Sequence, residues 1–119
     1  MARILIIEDN ENNLYLETFI LQKNGHEIIQ ASSGEVGIAR AAQELPDLIL
    51  LDIQLPGMDG YTVAKALREN PAIANIPIVA VTSYAMTGDR ERILAAGCTS
   101  YIEKPINPDT FHEEVAQFL

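Results

Sequence analysis

Residues 48–52 read Leu-Ile-Leu-Leu-Asp, an apolar run that ends on an acid. A continuous apolar run is typical of a central strand that is covered on both faces of a parallel sheet. Three other short runs also end on polar residues. The four endings are Asp52 after 48–51, Glu8-Asp9 after 3–7, Thr82 after 78–81 and Lys104 after 101–103. Because ligands of open α/β sheets bind outside the carboxyl ends of the strands, we expect these side chains to meet at one edge.

Strand-like runs alternate with helix-like stretches along the chain, which predicts βαβ units and a parallel sheet. The predicted strands are residues 3–7, 27–31, 48–51, 78–82 and 100–103. The predicted helices are 12–23, 34–45, 61–69, 87–96 and 108–119. Ser33, Asp59 and Asn107 are placed to cap the second, third and fifth helices. Five strand–helix pairs without a linker or repeat predict a single domain over residues 1–119.

Composition narrows the class of protein. The 119 residues carry 8 Lys+Arg and 17 Asp+Glu, a net charge of −9 that disfavours binding to nucleic acid or anionic membranes. We find no signal peptide and no apolar stretch long enough to span a membrane. Cys98 is the single cysteine. We predict that it is a small buried side chain in the core, and a lone cysteine fits a cytoplasmic location. His26 and His112 are interpreted as surface residues rather than phosphohistidines.

The carboxylates of Glu8, Asp9 and Asp52 are predicted to lie within a few ångströms of one another. Such a cluster is self-repulsive unless a cation intervenes. Mg²⁺ is the ion that best fits, because it takes one or two carboxylates, keeps waters and shares a phosphate oxygen. Each acid taken alone is better explained as part of a solvated turn or as the end of a strand. The coincidence of two strand ends favours the metal site.

Asp52 is the candidate nucleophile of the cluster, because carboxylates can form acyl-phosphates. Gln54 could supply its main-chain carbonyl to the metal. The Thr82 hydroxyl could donate to a phosphoryl oxygen, and the Lys104 ammonium could pair with the carboxylate or the phosphate. We predict a cis peptide bond before Pro105 that turns Lys104 inward.

The chain resembles a two-component response-regulator receiver domain of the CheY-like superfamily in four motifs: Glu8-Asp9, Asp52 with Ile-Gln-Leu-Pro-Gly-Met-Asp-Gly at 53–60, Thr82, and Lys104-Pro105. This resemblance covers essentially the whole chain. It implies a flavodoxin-like (βα)5 fold, with a doubly wound five-stranded parallel sheet of order 2-1-3-4-5. Residues 84–106 are similar to stand-alone receivers of the DivK type and to receivers of hybrid kinases.

The resemblance also implies a function. Asp52 would accept a phosphoryl group from a histidine kinase or a phosphotransfer histidine. The reaction would require Mg²⁺, or Mn²⁺ as a substitute, and the ion would be bound by Glu8, Asp9, Asp52 and the Gln54 carbonyl. Thr82 and Tyr101 would form the switch. A partner protein would read the face made by the fourth helix, fifth strand and fifth helix. Such a domain catalyses only its own phosphorylation and dephosphorylation.

Two other classes of protein fit parts of the pattern. A haloacid-dehalogenase-type phosphatase pairs its aspartate nucleophile with an acid two residues later, where this chain has Gln54. A flavodoxin-like cofactor carrier needs main-chain N–H groups around its phosphate, whereas the acidic stretch 8–11 would repel an unshielded phosphate. A DNA-binding regulator is disfavoured by the acidic charge and by the lack of a helix-turn-helix.

Overall fold

The computed structural model describes residues 2–83 and 86–119. Within these residues five strands alternate with five helices. The strands are β1 Arg3–Ile7, β2 Glu27–Ala31, β3 Leu48–Asp52, β4 Ile78–Thr82 and β5 Ser100–Glu103. The helices are α1 Glu11–Lys23, α2 Gly34–Glu44, α3 Gly60–Glu69, α4 Thr87–Ala95 and α5 Phe111–Ala116. The predicted order and type of every element are confirmed.

All neighbouring strands pair in parallel, in the order β2-β1-β3-β4-β5. This is the sheet that the resemblance implied. In the strand register Ile7 lies opposite Leu51, Asp52 opposite Val81, and Thr82 opposite Glu103. The carboxyl ends of β1, β3, β4 and β5 therefore reach the same edge of the sheet.

The core has two layers, one on each face of the sheet. Along β3, Ile49 and Leu51 pack with side chains of α2, α3 and α4, while Leu48 and Leu50 pack with α1 and α5. Successive strand residues point to opposite faces, so both parities of β3 must be apolar. All four are fully buried, and each contributes about 1.5–3 kcal/mol of transfer free energy.

The helix caps confirm two of three sequence predictions. The side chain of Ser33 accepts from the Val36 N–H, and that of Asp59 accepts from the Thr62 N–H. Gly97, predicted to terminate the fourth helix, has a φ of 109°, in the left-handed region that favours glycine.

The predicted bounds of the last helix are wrong. The Asn107 side chain accepts from the Asp109 N–H, but it closes a turn, and α5 begins only at Phe111. At the other end Phe118 N–H donates to the carbonyl of Val115, three residues back, so the chain tightens into a turn after Ala116.

Cys98 is buried, as predicted. His26 and His112 are half-buried rather than at the surface, and their Nε2 atoms lie 3.1 Å apart. The pair joins the start of β2 to α5, and burial together with the neighbouring ring lowers the pKa of His26. Among the described residues, no helix combines the length and the apolar character needed to cross a bilayer.

Candidate functional site

The structure brings the three predicted acids together. Glu8 and Asp9 follow β1, and Asp52 is the last residue of β3. Each offers a carboxylate oxygen, and these oxygens all lie within 4.8 Å of one another. Glu8 is 1% exposed and Asp52 3%, whereas Asp9 lies at the surface. Of the three acids in the cluster, only Asp9 is therefore exposed to solvent.

Lys104 follows β5 and reaches into this cluster. Its Nζ lies 3.2 Å from Oδ1 of Asp52 and 3.3 Å from Oε1 of Glu8. The Lys104-Pro105 peptide bond is cis, as predicted. Burial would lower the pKa of Lys104, but the charges of Asp52 and Glu8 outweigh burial and raise that pKa. The ammonium therefore stays protonated beside Asp52 and Glu8.

The Lys104 ammonium does not offset the cost of burying the Glu8 carboxylate. Burial, assisted by the neighbouring Asp52, raises the pKa of Glu8 to about 8. Its Oε1 is fully buried and accepts no hydrogen bond from the described residues, although the Lys104 ammonium is close. A hard divalent cation is the partner that such an oxygen set lacks, since carboxylate oxygens are the ligands that Mg²⁺ takes. The donor set therefore fits Mg²⁺.

Asp52 is fixed by the main chain around it. Its Oδ1 accepts from the Gln54 N–H at 3.0 Å, in addition to pairing with Lys104. The next turn of chain folds back under it, because Gly60 N–H donates to the Ile53 carbonyl at 3.1 Å. A side chain at Gly60 would collide with the main chain of Ile53 and Asp52. Glycine at this position lets the start of α3 pack directly beneath the acid.

Thr82 lies on β4, which is next to β3, and Tyr101 lies on β5, one strand further from β3. Thr82 ends β4 and is fully buried, and its carbonyl accepts from the Lys104 N–H at 2.8 Å. Tyr101 lies on β5, half-buried, with the Arg90 guanidinium 5.4 Å from its ring centre. The fold thus places Thr82 at the edge where the acids meet. The switch roles of Thr82 and Tyr101, and the Gln54 carbonyl as a metal ligand, stay predictions.

Two features near the site were not predicted from the sequence: the residue Glu17, and the contact made by the side chain of Gln54. Glu17 of α1 is 1% exposed, its Oε2 has no hydrogen-bond partner among the described residues, and burial raises its pKa to about 8. Its spacing from Leu14 and Leu21 puts it on the buried stripe of α1, a signal that the sequence did contain. The second is the side chain of Gln54, whose Oε1 accepts from the Ser83 N–H at 2.9 Å.

Comparison with known proteins gives a consistent result. The family described as the response regulator receiver domain matches residues 4–116. The polar-differentiation response regulator DivK of Brucella ovis is 42% identical over 116 residues, which cover 98% of this chain and 94% of that protein. The DivK protein of Brucella anthropi is 41% identical over the same shares.

Solved structures agree with the sequence comparison. The chemotaxis protein CheY4 of Vibrio cholerae superposes with a TM-score of 0.95 at 28% identity, covering 100% of this chain and 99% of that one. The receiver domain of the sensor histidine kinase PA1611 of Pseudomonas aeruginosa superposes with a TM-score of 0.90 at 30% identity, covering 98% and 96%. In that structure a magnesium ion is coordinated in the active site cleft. Acid cluster, sheet order and sequence agree: this chain belongs to the response regulator receiver domain family of two-component signalling.

Proposed function

We propose that this chain is a phosphorylation-activated switch in which Asp52 accepts a phosphoryl group from a histidine kinase or a histidine phosphotransfer protein. One observation carries the proposal: the carboxylate oxygens of Glu8, Asp9 and Asp52 lie within 4.8 Å of one another, with the Lys104 ammonium 3.2 Å from Asp52. Phosphoryl transfer needs positioning and charge neutralisation more than acid–base chemistry, and this arrangement supplies both.

In the proposed reaction a carboxylate oxygen of Asp52 attacks the phosphorus of a phosphohistidine. The P–N bond breaks, and its electron pair leaves with the imidazole. The Lys104 ammonium offsets the negative charge that gathers on the carboxylate and the phosphoryl oxygens. The buried ends of β1 and β3 keep the acids in place, so little reorganisation is needed at the moment of transfer.

Mg²⁺, or Mn²⁺ in its place, would be held by Glu8, Asp9, Asp52 and the main-chain carbonyl of Gln54. When bound, the ion would supply charge neutralisation to the phosphoryl oxygens. Support comes from the fit of the donor set and from the magnesium in the PA1611 receiver structure. Together with Lys104, the bound ion would neutralise the negative charge of the three carboxylates.

The output would follow from the new charge on Asp52. A phosphoryl group adds a charge of about −1.5 to −2 and three acceptor oxygens. We infer that the Thr82 hydroxyl moves toward it, that Tyr101 takes up the vacated space, and that the face of α4, β5 and α5 changes its affinity for a partner protein. Such a domain spans residues 1–119, acts in the cytoplasm, binds no nucleic acid and catalyses only its own phosphorylation and dephosphorylation.

The phosphatase alternative gains nothing from the structure. Its second acid would stand at Gln54, an amide whose oxygen already accepts from the Ser83 N–H. A neutral amide has no acidic proton to give to a leaving group.

The proposed function is tested by incubating the protein with acetyl phosphate and Mg²⁺ and measuring its intact mass. We expect the gain of one phosphoryl group, abolished by chelation and by Asp52→Asn. The matched control is Asp109→Asn, a change at an exposed aspartate outside the cluster, which should leave the gain intact. A folded wild-type protein that gains no mass would contradict the proposal.

A further inference from the structure

The rings of His26 and His112 meet end to end, although 86 positions separate the two residues. Their Nε2 atoms lie 3.1 Å apart and their ring centres lie 5.3 Å apart. The second distance exceeds the first by about the width of one imidazole ring, so the two nitrogens face each other along the line between the rings. One hydrogen bond therefore joins the rings, which do not stack face to face.

A third group fixes the positions of the protons. The main-chain N–H of Ala2 donates to Nδ1 of His26 at 3.2 Å. Because a main-chain nitrogen can only donate, Nδ1 of His26 carries no proton and its Nε2 carries one. Nε2 of His112 is then the acceptor, and the proton of that neutral ring lies on Nδ1. The bonds run in one direction from Ala2 through His26 to His112, and they require both rings to be neutral.

The pair connects the amino-terminal edge of the sheet to the last helix. Ala2 precedes β1, His26 precedes β2 and His112 lies in α5. Only six residues form α5, and the side chains that it buries are Phe111 and Val115. The two histidines thus add a polar link to a short helix that few apolar side chains hold in place.

The charged groups around the pair do not offer a partner for a charged ring. On the neighbouring elements they are Glu17 and Lys23 of α1, Arg3 of β1, Glu27 of β2, Asp47 before β3, Asp109 before α5, Glu113 and Glu114 of α5 and the two ends of the chain. Within residues 2–83 and 86–119 no carboxylate forms an ion pair with a histidine. Asp47, which lines the same cavity as His26, accepts from the Arg3 N–H instead. Burial, the His112 ring and the positive amino terminus lower the pKa of His26.

A proton added to either ring breaks the series of bonds. On His26 it enters at Nδ1 and displaces the Ala2 N–H. On His112 it enters at Nε2, so that two N–H groups face each other across 3.1 Å. A zinc ion does not fit between the rings as they stand, because an ion on the line between the two nitrogens would hold them about 4 Å apart. The arrangement therefore has room for a proton and responds to pH in the range where histidine titrates.

We propose that His26 and His112 form a proton-sensitive clasp, which ties α5 to the amino-terminal edge of the sheet while both rings are neutral and is broken when either ring takes up a proton. The clasp lies at the edge opposite Asp52 and does not depend on the chemistry proposed for that acid. Because α5 also belongs to the face proposed to contact a partner, acid would loosen that face, a consequence that rests on the proposed function.

The first test locates the protons by nitrogen NMR of the ¹⁵N-labelled imidazole rings at pH 7.5. We expect His26 to be protonated at Nε2 only and His112 at Nδ1 only. In His112→Gln the tautomer of His26 should persist, because the amide oxygen can accept in place of the imidazole nitrogen. A proton on Nδ1 of His26, or a charged ring at either position, would overturn the clasp.

The second test measures amide hydrogen exchange in α5 at pH 7.5 and pH 5, expressed as protection relative to the unfolded chain. The Glu114 N–H, which donates to the Thr110 carbonyl, is a suitable probe. Its protection in the wild type should fall about two- to tenfold in acid, the range that one net hydrogen bond allows, relative to amides of α3.

His112→Phe keeps a ring at the half-buried position but cannot accept a hydrogen bond. Its α5 protection should be low at both pH values, whereas His112→Gln should lose less protection in acid than the wild type. Other groups that titrate in this range, among them Glu17, are the same in all three proteins. Equal wild-type protection at the two pH values, or an acid effect of the same size in His112→Phe, would overturn the clasp and leave the role of Asp52 untouched.

Discussion

The Lys104 ammonium lies 3.2 Å from Oδ1 of Asp52, although Asp52 ends β3, Lys104 follows β5, and the two residues are 52 positions apart. The same oxygen accepts from the Gln54 N–H. Asp52 is thus held from two sides before any ion or phosphoryl group arrives. In the proposed site the ammonium and a divalent cation would share the charge of one carboxylate cluster.

Replacing Lys104 by Met should strengthen Mg²⁺ binding and weaken phosphoryl acceptance. The acid cluster loses the positive charge that repels a second cation, and at an effective dielectric constant of 20 this repulsion is still significant at such a short distance. We therefore expect the affinity for Mg²⁺ to rise by about threefold or more. Isothermal titration calorimetry measures it. Lys65→Met, at an exposed site on α3, should change the affinity little. Weaker Mg²⁺ binding in Lys104→Met would count against the charge balance described above.

Glu17 should make the protein less stable as the pH rises. Burial raises the pKa of Glu17 to about 8, so the folded state holds its proton more tightly than the unfolded state does. This contribution is complete below the unfolded pKa and is lost as the pH rises toward 8. The free energy of unfolding of Glu17→Gln, relative to the wild type, should therefore increase by on the order of 2 kcal/mol between pH 5 and pH 7.

Urea unfolding of both proteins at the two pH values measures this difference. Glu91→Gln, an exposed change on α4, is the control and should show a difference that does not depend on pH. A pH-independent difference for Glu17→Gln would mean that Glu17 is ionised in the folded protein.

Gly60→Ala should disturb the support under Asp52. A Cβ at this position would contact the main chain of Ile53 and lie 2.8 Å from the Asp52 carbonyl oxygen, so the backbone must shift. We expect a loss of about 1–3 kcal/mol in the free energy of unfolding, together with weaker Mg²⁺ binding. Gly88→Ala is the control: it has open space in α4 and should stabilise the protein by up to about 1 kcal/mol. Equal effects of the two changes would refute the role given to Gly60.

Arg68 should anchor the opposite end of the sheet. Its guanidinium donates to the main-chain carbonyls of Gly97, Ile73, Ala74 and Ile76. A lysine ammonium cannot reproduce this fork of donors, so Arg68→Lys should lower the free energy of unfolding by about 1–3 kcal/mol. Thermal unfolding measures the loss. Arg40→Lys, at an exposed position on α2, should have little effect; an equally mild Arg68→Lys would show that the carbonyls are satisfied without the fork.

Most of the fold could be predicted because its signals are local. The unbroken apolar run of β3 indicates burial on both faces, and Ser33 and Asp59 mark helix starts through caps that lie three residues from their partners. The start of α5 could not be read in the same way. Asn107 makes the side-chain bond expected of a cap, but that bond closes a turn that does not yet continue as helix.

The candidate site was predictable as far as strand ends determine it. Parallel pairing carries Glu8, Asp9 and Asp52 to one edge, and the sequence already shows which residue ends each strand. The Gln54–Ser83 hydrogen bond and the His26–His112 pair depend on how loops and helices pack across 29 and 86 positions. No pattern within either segment indicates such a partner. Glu17 was missed although its spacing from Leu21 showed that it faces the core.

The most direct test of the account is to locate the phosphoryl group itself. After incubation with acetyl phosphate and Mg²⁺, reduction with borohydride converts an aspartyl phosphate to homoserine, which peptide mass spectrometry assigns to a position. We expect homoserine at position 52, and no homoserine when Mg²⁺ is chelated. Homoserine at another acid, or a folded protein with no reducible acyl-phosphate, would contradict it.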